Sequence, residues 1–173
     1  NLFAGAFQDL ADIVSRDKNT ANAFACTVLR AWGYQLFVDN VSDAPYTEAL
    51  GADKVPTPKW DDGKTIMEGV LAELDKAEGD LGTESITLKD PLMNKNLSQW
   101  KGFANALRLR IYLRMIDAGI DAASYTTKAQ ALVTADKFFA DDIKYDVYTN
   151  AEGQYSPWYG AVFRLKINNY VAA

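Results

Sequence analysis

The 173-residue chain is 49% apolar and 24% charged, carries a net charge of −5, and contains no histidine. That length supports one domain with a substantial core. The acidic balance disfavours a nucleic-acid surface, which needs clustered basic residues, and the lack of imidazole removes Ser-His and Cys-His nucleophiles and the commonest zinc ligand.

Leu2, Phe3, Ala6, Phe7, Leu10, Ile13 and Val14 recur at three- and four-residue spacing and predict an amphipathic helix ending near Arg16–Asn19. Asn19 or Thr20 caps a second helix from about Ala21 to Asn40, with Phe24, Val28, Ala31, Trp32, Leu36 and Phe37 as its apolar positions. Gly33 costs about 1 kcal/mol against alanine in mid-helix, so a closely packed neighbouring helix is its expected reason. Cys26, inside the same run, reads as a small buried hydrophobe. No window reaches the roughly 18 apolar residues of a membrane-spanning helix.

Residues 42–60 hold Pro45, Pro56 and Pro58, and the Pro56-Thr57-Pro58 alternation favours extended chain. Asp61 and Asp62 are placed to meet the free amides and positive end of a third helix. Its stripe is Ile66, Val70, Leu74, Ala77 and Leu81, with Gly82 as its C-cap. After an irregular connection at 83–96, a fourth helix starts at Leu97 or Ser98, with Trp100, Phe103, Ala104, Leu107, Ile111 and Met115 in period. Arg108, Arg110 and Arg114 lie off that stripe, on a solvated face or in salt bridges to neighbouring helices. Gly119 closes this helix. A fifth runs from Ala122 or Thr127 to Phe139, carrying Ala129, Leu132, Ala135, Phe138 and Phe139.

Beyond Ala140 the chain turns irregular and aromatic, with Tyr145, Tyr148, Tyr155, Trp158 and Tyr159 among Asp, Asn, Gly and Ser; weak alternation from Phe163 to Val171 suggests a strand. The expected fold class is all-α, with antiparallel helix pairs forming a bundle or solenoid. Leu107 to Phe139 fits one helix–turn–helix unit of roughly the 34-residue tetratricopeptide period.

Two segments resemble the SusD/RagB family of outer-membrane, nutrient-binding lipoproteins. One runs from Val28-Leu29-Arg30-Ala31-Trp32 through Phe37-Val38-Asp39 to Ser42-Asp43-Ala44-Pro45-Tyr46-Thr47-Glu48-Ala49, and the other is Trp100-Lys101-Gly102-Phe103-Ala104-Asn105-Ala106-Leu107-Arg108-Leu109-Arg110. Between them, Pro58-Lys59-Trp60-Asp61 and the Ile66–Ala77 helix also match family motifs in order. Ser42 stands where the family usually has glycine, Trp60 where tyrosine is commoner, and Asn94-Lys95-Asn96 where Gly-Asp is frequent.

The resemblance implies tetratricopeptide-like hairpins forming an α-α superhelical platform over residues 1–140. Residues 141–173 would then be an irregular segment that begins a second, mostly absent half. Family members start with a lipidated cysteine and continue past the platform, so the chain is expected to be the helical core of a longer protein. It further implies a surface protein of the outer membrane, anchored by an N-terminal lipid. That protein binds oligosaccharide or polysaccharide (or peptide) nutrients and passes them to a SusC-like TonB-dependent transporter. It is not an enzyme and needs no cofactor.

Sugar binding calls for exposed aromatic faces flanked by polar groups, which makes Tyr148, Tyr155, Trp158 and Tyr159 the candidate glycan-stacking residues. The alternative is that these rings pack the end of the platform. The motif positions of Tyr46 and Trp60 assign them to structural anchoring. A glycosidase needs two carboxyls at fixed separation, but capping accounts for Asp61-Asp62. Neither the Asp39–Asp43 run nor Asp141–Asp146 completes a calcium loop. A different class of function, a helical-repeat adaptor that binds a protein through its concave face and has no small-molecule ligand, fits the same helices.

Overall fold

The longest apolar-rich run becomes the central helix. Asn19, in extended backbone (φ −75°, ψ 107°), accepts hydrogen bonds from the Ala21 and Asn22 amides and starts α2, Thr20–Val41; its oxygen takes up donors that a first helical turn leaves unpaired. A computed structural model describes residues 3–50 and 55–164 of the protein. A π-helical turn, Phe3–Phe7, leads into α1, Gln8–Arg16. The further helices are α3, Gly63–Gly79; α4, Leu97–Asp117; α5, Ala122–Ala135; and the single turn α6, Pro157–Tyr159, which continues as a π-helical turn, Gly160–Arg164.

The fold is all-α, a set of tetratricopeptide-like helical hairpins. Helix α2 packs against α1, α3 and α4, and α4 packs against α5. Phe24, Val28, Ile66, Val70, Leu74, Leu107 and Ile111 form the dry centre between them, each fully buried. The α4–α5 turn uses Gly119 at φ 70° and Asp121 at φ 40°, a left-handed backbone that glycine enters without a β-carbon clash. Arg108 is buried and joins α4 to α3 through Asp75 (2.9 Å) and Glu78 (2.9 Å), while Arg114 reaches Asp39 of α2 at 3.3 Å.

Several sequence expectations shift in register. In α2 the buried face carries Tyr34 and Gln35, whereas Trp32 and Leu36 are exposed. With helices on three sides, α2 is apolar over most of its surface, so periodicity alone does not choose the face. Helix α3 stops at Gly79 with Asp80 as its C-cap, short of Leu81 and Gly82, as expected where a poor helix former meets the last turn. Helix α5 stops at Ala135, so Phe138 and Phe139 lie outside it. There the chain doubles back over α4: a β-carbon on Gly102 would sit 2.3 Å from the Phe139 nitrogen, and the Phe139 ring meets Phe103 edge-on at 6.1 Å. The strand expected from Phe163 is corrected at its start, because Gly160–Arg164 is helical; its remainder, residues 165–171, lies outside the described residues.

Gly33 behaves as expected. A β-carbon there would lie 2.4 Å from the Phe7 ring, so the turn that leads into α1 seats its last aromatic directly on the α2 backbone. Ser42 ends α2 with φ 68° and ψ −66°, a backbone that costs a side-chain-bearing residue on the order of 1–3 kcal/mol.

Two substitutions test these backbone constraints in urea melts. Ser42→Gly is expected to stabilise the protein by about 1 kcal/mol, and no gain would refute the strain. Gly102→Ala, a change that ordinarily favours a helix, is expected to destabilise it by about 1–3 kcal/mol, because backbone rather than a movable side chain occupies the space.

Candidate functional site

The proline-rich excursion leaves α2 and returns to α3 through a closed set of bonds. Ala44 and Asp61 exchange backbone hydrogen bonds of 3.1 and 2.9 Å. The Asp61 carboxylate accepts from the Thr47 amide (2.7 Å), the Thr47 hydroxyl (2.8 Å) and the Tyr46 amide (3.3 Å), with Lys59 Nζ 3.7 Å away. Asp61 therefore staples the loop instead of sharing the helix end with Asp62. Asp62 alone is the cap, accepting from the Thr65 amide at 2.9 Å. The Thr47 amide first, then its hydroxyl, Lys59 and the Tyr46 amide, hold the Asp61 carboxyl below its usual 3.8 against the opposing cost of burial.

Tyr46 anchors the same loop from within. Its ring lies where a Gly69 β-carbon would be, its edge meets Tyr34 at 5.0 Å, and its hydroxyl donates to Glu73 at 2.9 Å. Glu73 in turn pairs with Arg30 at 2.6 Å. Trp60, expected to anchor beside it, does not: its indole is 65% exposed.

The aromatic segment after α5 falls into two groups. Tyr148 pairs edge-on with Tyr145 at 5.4 Å. Tyr145 also forms part of a hollow of about 260 Å3 with Leu29, Ile86, Leu88, Leu92 and Trp100. The second group runs from just before a helical turn through it: Tyr155, Tyr159 and Phe163 recur every fourth residue, with ring centroids 5.2 Å apart at each step and Tyr159 stacked on Phe163. Ser156 caps this turn by accepting from the Tyr159 amide, and Pro157 takes its first position. Trp158 projects from it, 69% exposed.

Between the two groups the chain closes on itself. The Thr149 amide donates to the Gln154 carbonyl at 2.9 Å, their side chains bond at 2.8 Å, and Gly153 takes φ 78°. Of the four candidate stacking residues, Trp158 and Tyr159 thus share one helical turn, Tyr155 lies just before its cap against Tyr159, and Tyr148 belongs with Tyr145. Sequence reasoning left out Tyr145 and Phe163. The four-residue spacing 155–159–163 was a signal for Phe163, hidden by the apparent strand alternation.

The profile of a family described as starch-binding and associating with the outer membrane matches residues 2–172. The chain belongs to the SusD-like family. Its fold is similar to a SusD/RagB family protein from Bacteroides thetaiotaomicron (TM-score 0.74, 21% identity), covering 93% of this chain and 35% of that one. A SusD homologue from Bacteroides fragilis gives a TM-score of 0.70 at 20% identity, covering 90% and 35%. The Bacteroidetes AC2a SusD-like protein gives 0.64 at 30% identity, covering 79% and 25%. This SusD-like chain therefore spans between a quarter and about a third of the length of these relatives. No curated protein matches it.

The staple in the loop has a pH signature. A carboxyl held low in the folded state contributes stability that is complete above its unfolded value near 3.8 and is lost as pH falls through that value toward the folded one. Urea melts between pH 7 and pH 3 are expected to show stability falling below about pH 5, with a shallower fall in Asp61→Asn. An unchanged slope in that variant would remove Asp61 from the account.

Proposed function

We propose that this chain is the helical core of a cell-surface glycan-binding protein of the outer membrane, which captures oligosaccharide or polysaccharide nutrients and delivers them to a SusC-like TonB-dependent transporter. In this reading the whole protein is held to the membrane by an N-terminal lipid. It binds its ligand without chemistry, and residues 141–173 open a second half beyond the 1–140 core. Membership of a family described as starch-binding supports it. The single structural observation that carries it is the aromatic turn at 155–163. Trp158 presents its indole to solvent at 69% exposure on a capped turn whose neighbouring rings, Tyr155, Tyr159 and Phe163, already brace one another.

A pyranose ring has an apolar face of C–H groups and a rim of hydroxyls. An exposed, pre-ordered aromatic removes that face from water with little loss of conformational freedom. Thr149, Asn150 and Gln154, in the closed loop before the turn, supply amide and hydroxyl groups for the rim. Tyr148 contributes from the other side of that loop, paired with Tyr145.

Affinity electrophoresis of the full-length protein through gels containing amylopectin and a panel of other polysaccharides tests the proposal. Retardation by at least one polysaccharide is expected, with Trp158→Ala weakening binding roughly tenfold and Tyr159→Ala several-fold. Co-purification of a protein partner with no retardation on any glycan would overturn it and return the helical-repeat adaptor.

A further inference from the structure

Trp60 is a large aromatic to which the fold gives no structural task. Its indole is 65% exposed, and no other ring pairs with it among the described residues. A lone exposed hydrophobic residue ordinarily needs no explanation. Trp60 differs because its backbone is among the most tightly held in the loop. Asp61, the next residue, exchanges two hydrogen bonds with Ala44 (2.9 and 3.1 Å). On the other side, the Lys59 amide donates to Glu48 Oε2 at 3.0 Å, and Pro58 fixes its own φ. The indole is thus presented outward from a support that is fixed before any ligand arrives.

The residues around it suit a polyhydroxyl ligand. Among the described residues only Oε2 of Glu48 is engaged, which leaves its second carboxylate oxygen to accept a hydroxyl proton. Thr47 is exposed beside it. Both form the wall of an open hollow of about 380 Å3, together with Arg30, Tyr34, Tyr46 and Glu73. Among the described residues, the formal charges close by are balanced or negative: Lys59 faces Asp61 at 3.7 Å, Arg30 is paired with Glu73, and no cation pairs with Glu48. An anionic sugar would meet an unpaired carboxylate there. A neutral one would not.

We propose that Trp60 is a second glycan-stacking platform, located on the helical core, which takes one pyranose ring of a neutral polysaccharide, with Glu48 and Thr47 accepting hydrogen bonds from its hydroxyls. The inference rests on the glycan-binding reading above and adds to it a contact separate from the aromatic turn at 155–163. A polymer gains from both, and a short oligosaccharide does not have to.

The experiment uses the full-length protein and amylopectin as probe, comparing wild type, Trp60→Ala, Trp60→Tyr and Trp158→Ala by affinity electrophoresis, with thermal melts of each. Trp60→Ala is expected to weaken amylopectin binding roughly five- to tenfold with an unchanged melting temperature, and Trp60→Tyr to stay close to wild type because an aromatic face is kept. Equal binding by wild type and Trp60→Ala would overturn the role of Trp60 while leaving the glycan reading intact. A large drop in melting temperature in Trp60→Ala would also overturn it, by making Trp60 an anchor. Wild-type protein that is not retarded by amylopectin or any other neutral polysaccharide would overturn both.

Discussion

One column of aromatic rings ties three helices and the long excursion together. Phe7 sits on the bare backbone of Gly33 and stacks on Tyr34 at 4.4 Å; Tyr34 meets the edge of Tyr46; and Tyr46 lies on the bare backbone of Gly69. Each end of the column is a glycine, so each outer ring approaches a helix more closely than a β-carbon would allow. The polar ends are satisfied too: the Tyr34 hydroxyl donates to the Pro45 carbonyl at 3.3 Å and the Tyr46 hydroxyl to Glu73. A buried phenol without a partner would be costly. Burial pushes the Tyr34 hydroxyl up to about 12 and raises that of Tyr46 as well, so both remain hydrogen-bond donors at any ordinary pH. Where α1 sits, how the loop leaves α2, and how α3 lies beside α2 all depend on this one stack.

Much of the scaffold was legible because its signals are local. Asn19 and Asp62 announce helix starts through side-chain oxygens at the right offset, and Gly119 ends α4 by a backbone only glycine adopts freely. The period of Trp100, Ala104, Leu107, Ile111 and Met115 marks a face that is indeed buried. The misreadings are non-local. Nothing near Asp61 in sequence says that its carboxylate bonds residues 46 and 47 instead of its own helix. Nothing near Phe138 says that the chain must cross Gly102. Trp32 and Leu36 look like core residues but face a groove of about 730 Å3 beside α1, with Leu10, Phe37 and Val41.

The candidate site was legible in composition and not in geometry. A run of tyrosines and tryptophan among polar residues suggested stacking surfaces, and the structure sorts those rings into a pair and a row. Trp60 shows the reverse error: its place in a motif suggested an anchor, and its surroundings leave it exposed. The departures from the family pattern are informative in the same way. Ser42 and the Asn94-Lys95-Asn96 run replace glycine-containing positions, and Ser42, Asn94 and Lys95 all carry positive φ (68°, 48° and 62°). Residues with side chains here occupy a backbone best suited to glycine, and the surrounding bonds hold the strain. Asp90, for example, accepts from the amides of Leu92, Met93 and Lys95 and from the Trp100 indole.

The missing histidine bears on how the helical core responds to pH. Imidazole is the side chain that ordinarily changes charge between about pH 5 and 8, and the chain has none. Its one thiol, the group best able to stand in, is pushed by burial up to about 11. Within these 173 residues, any response to pH between about 5 and 8 has to come from groups other than imidazole or this thiol.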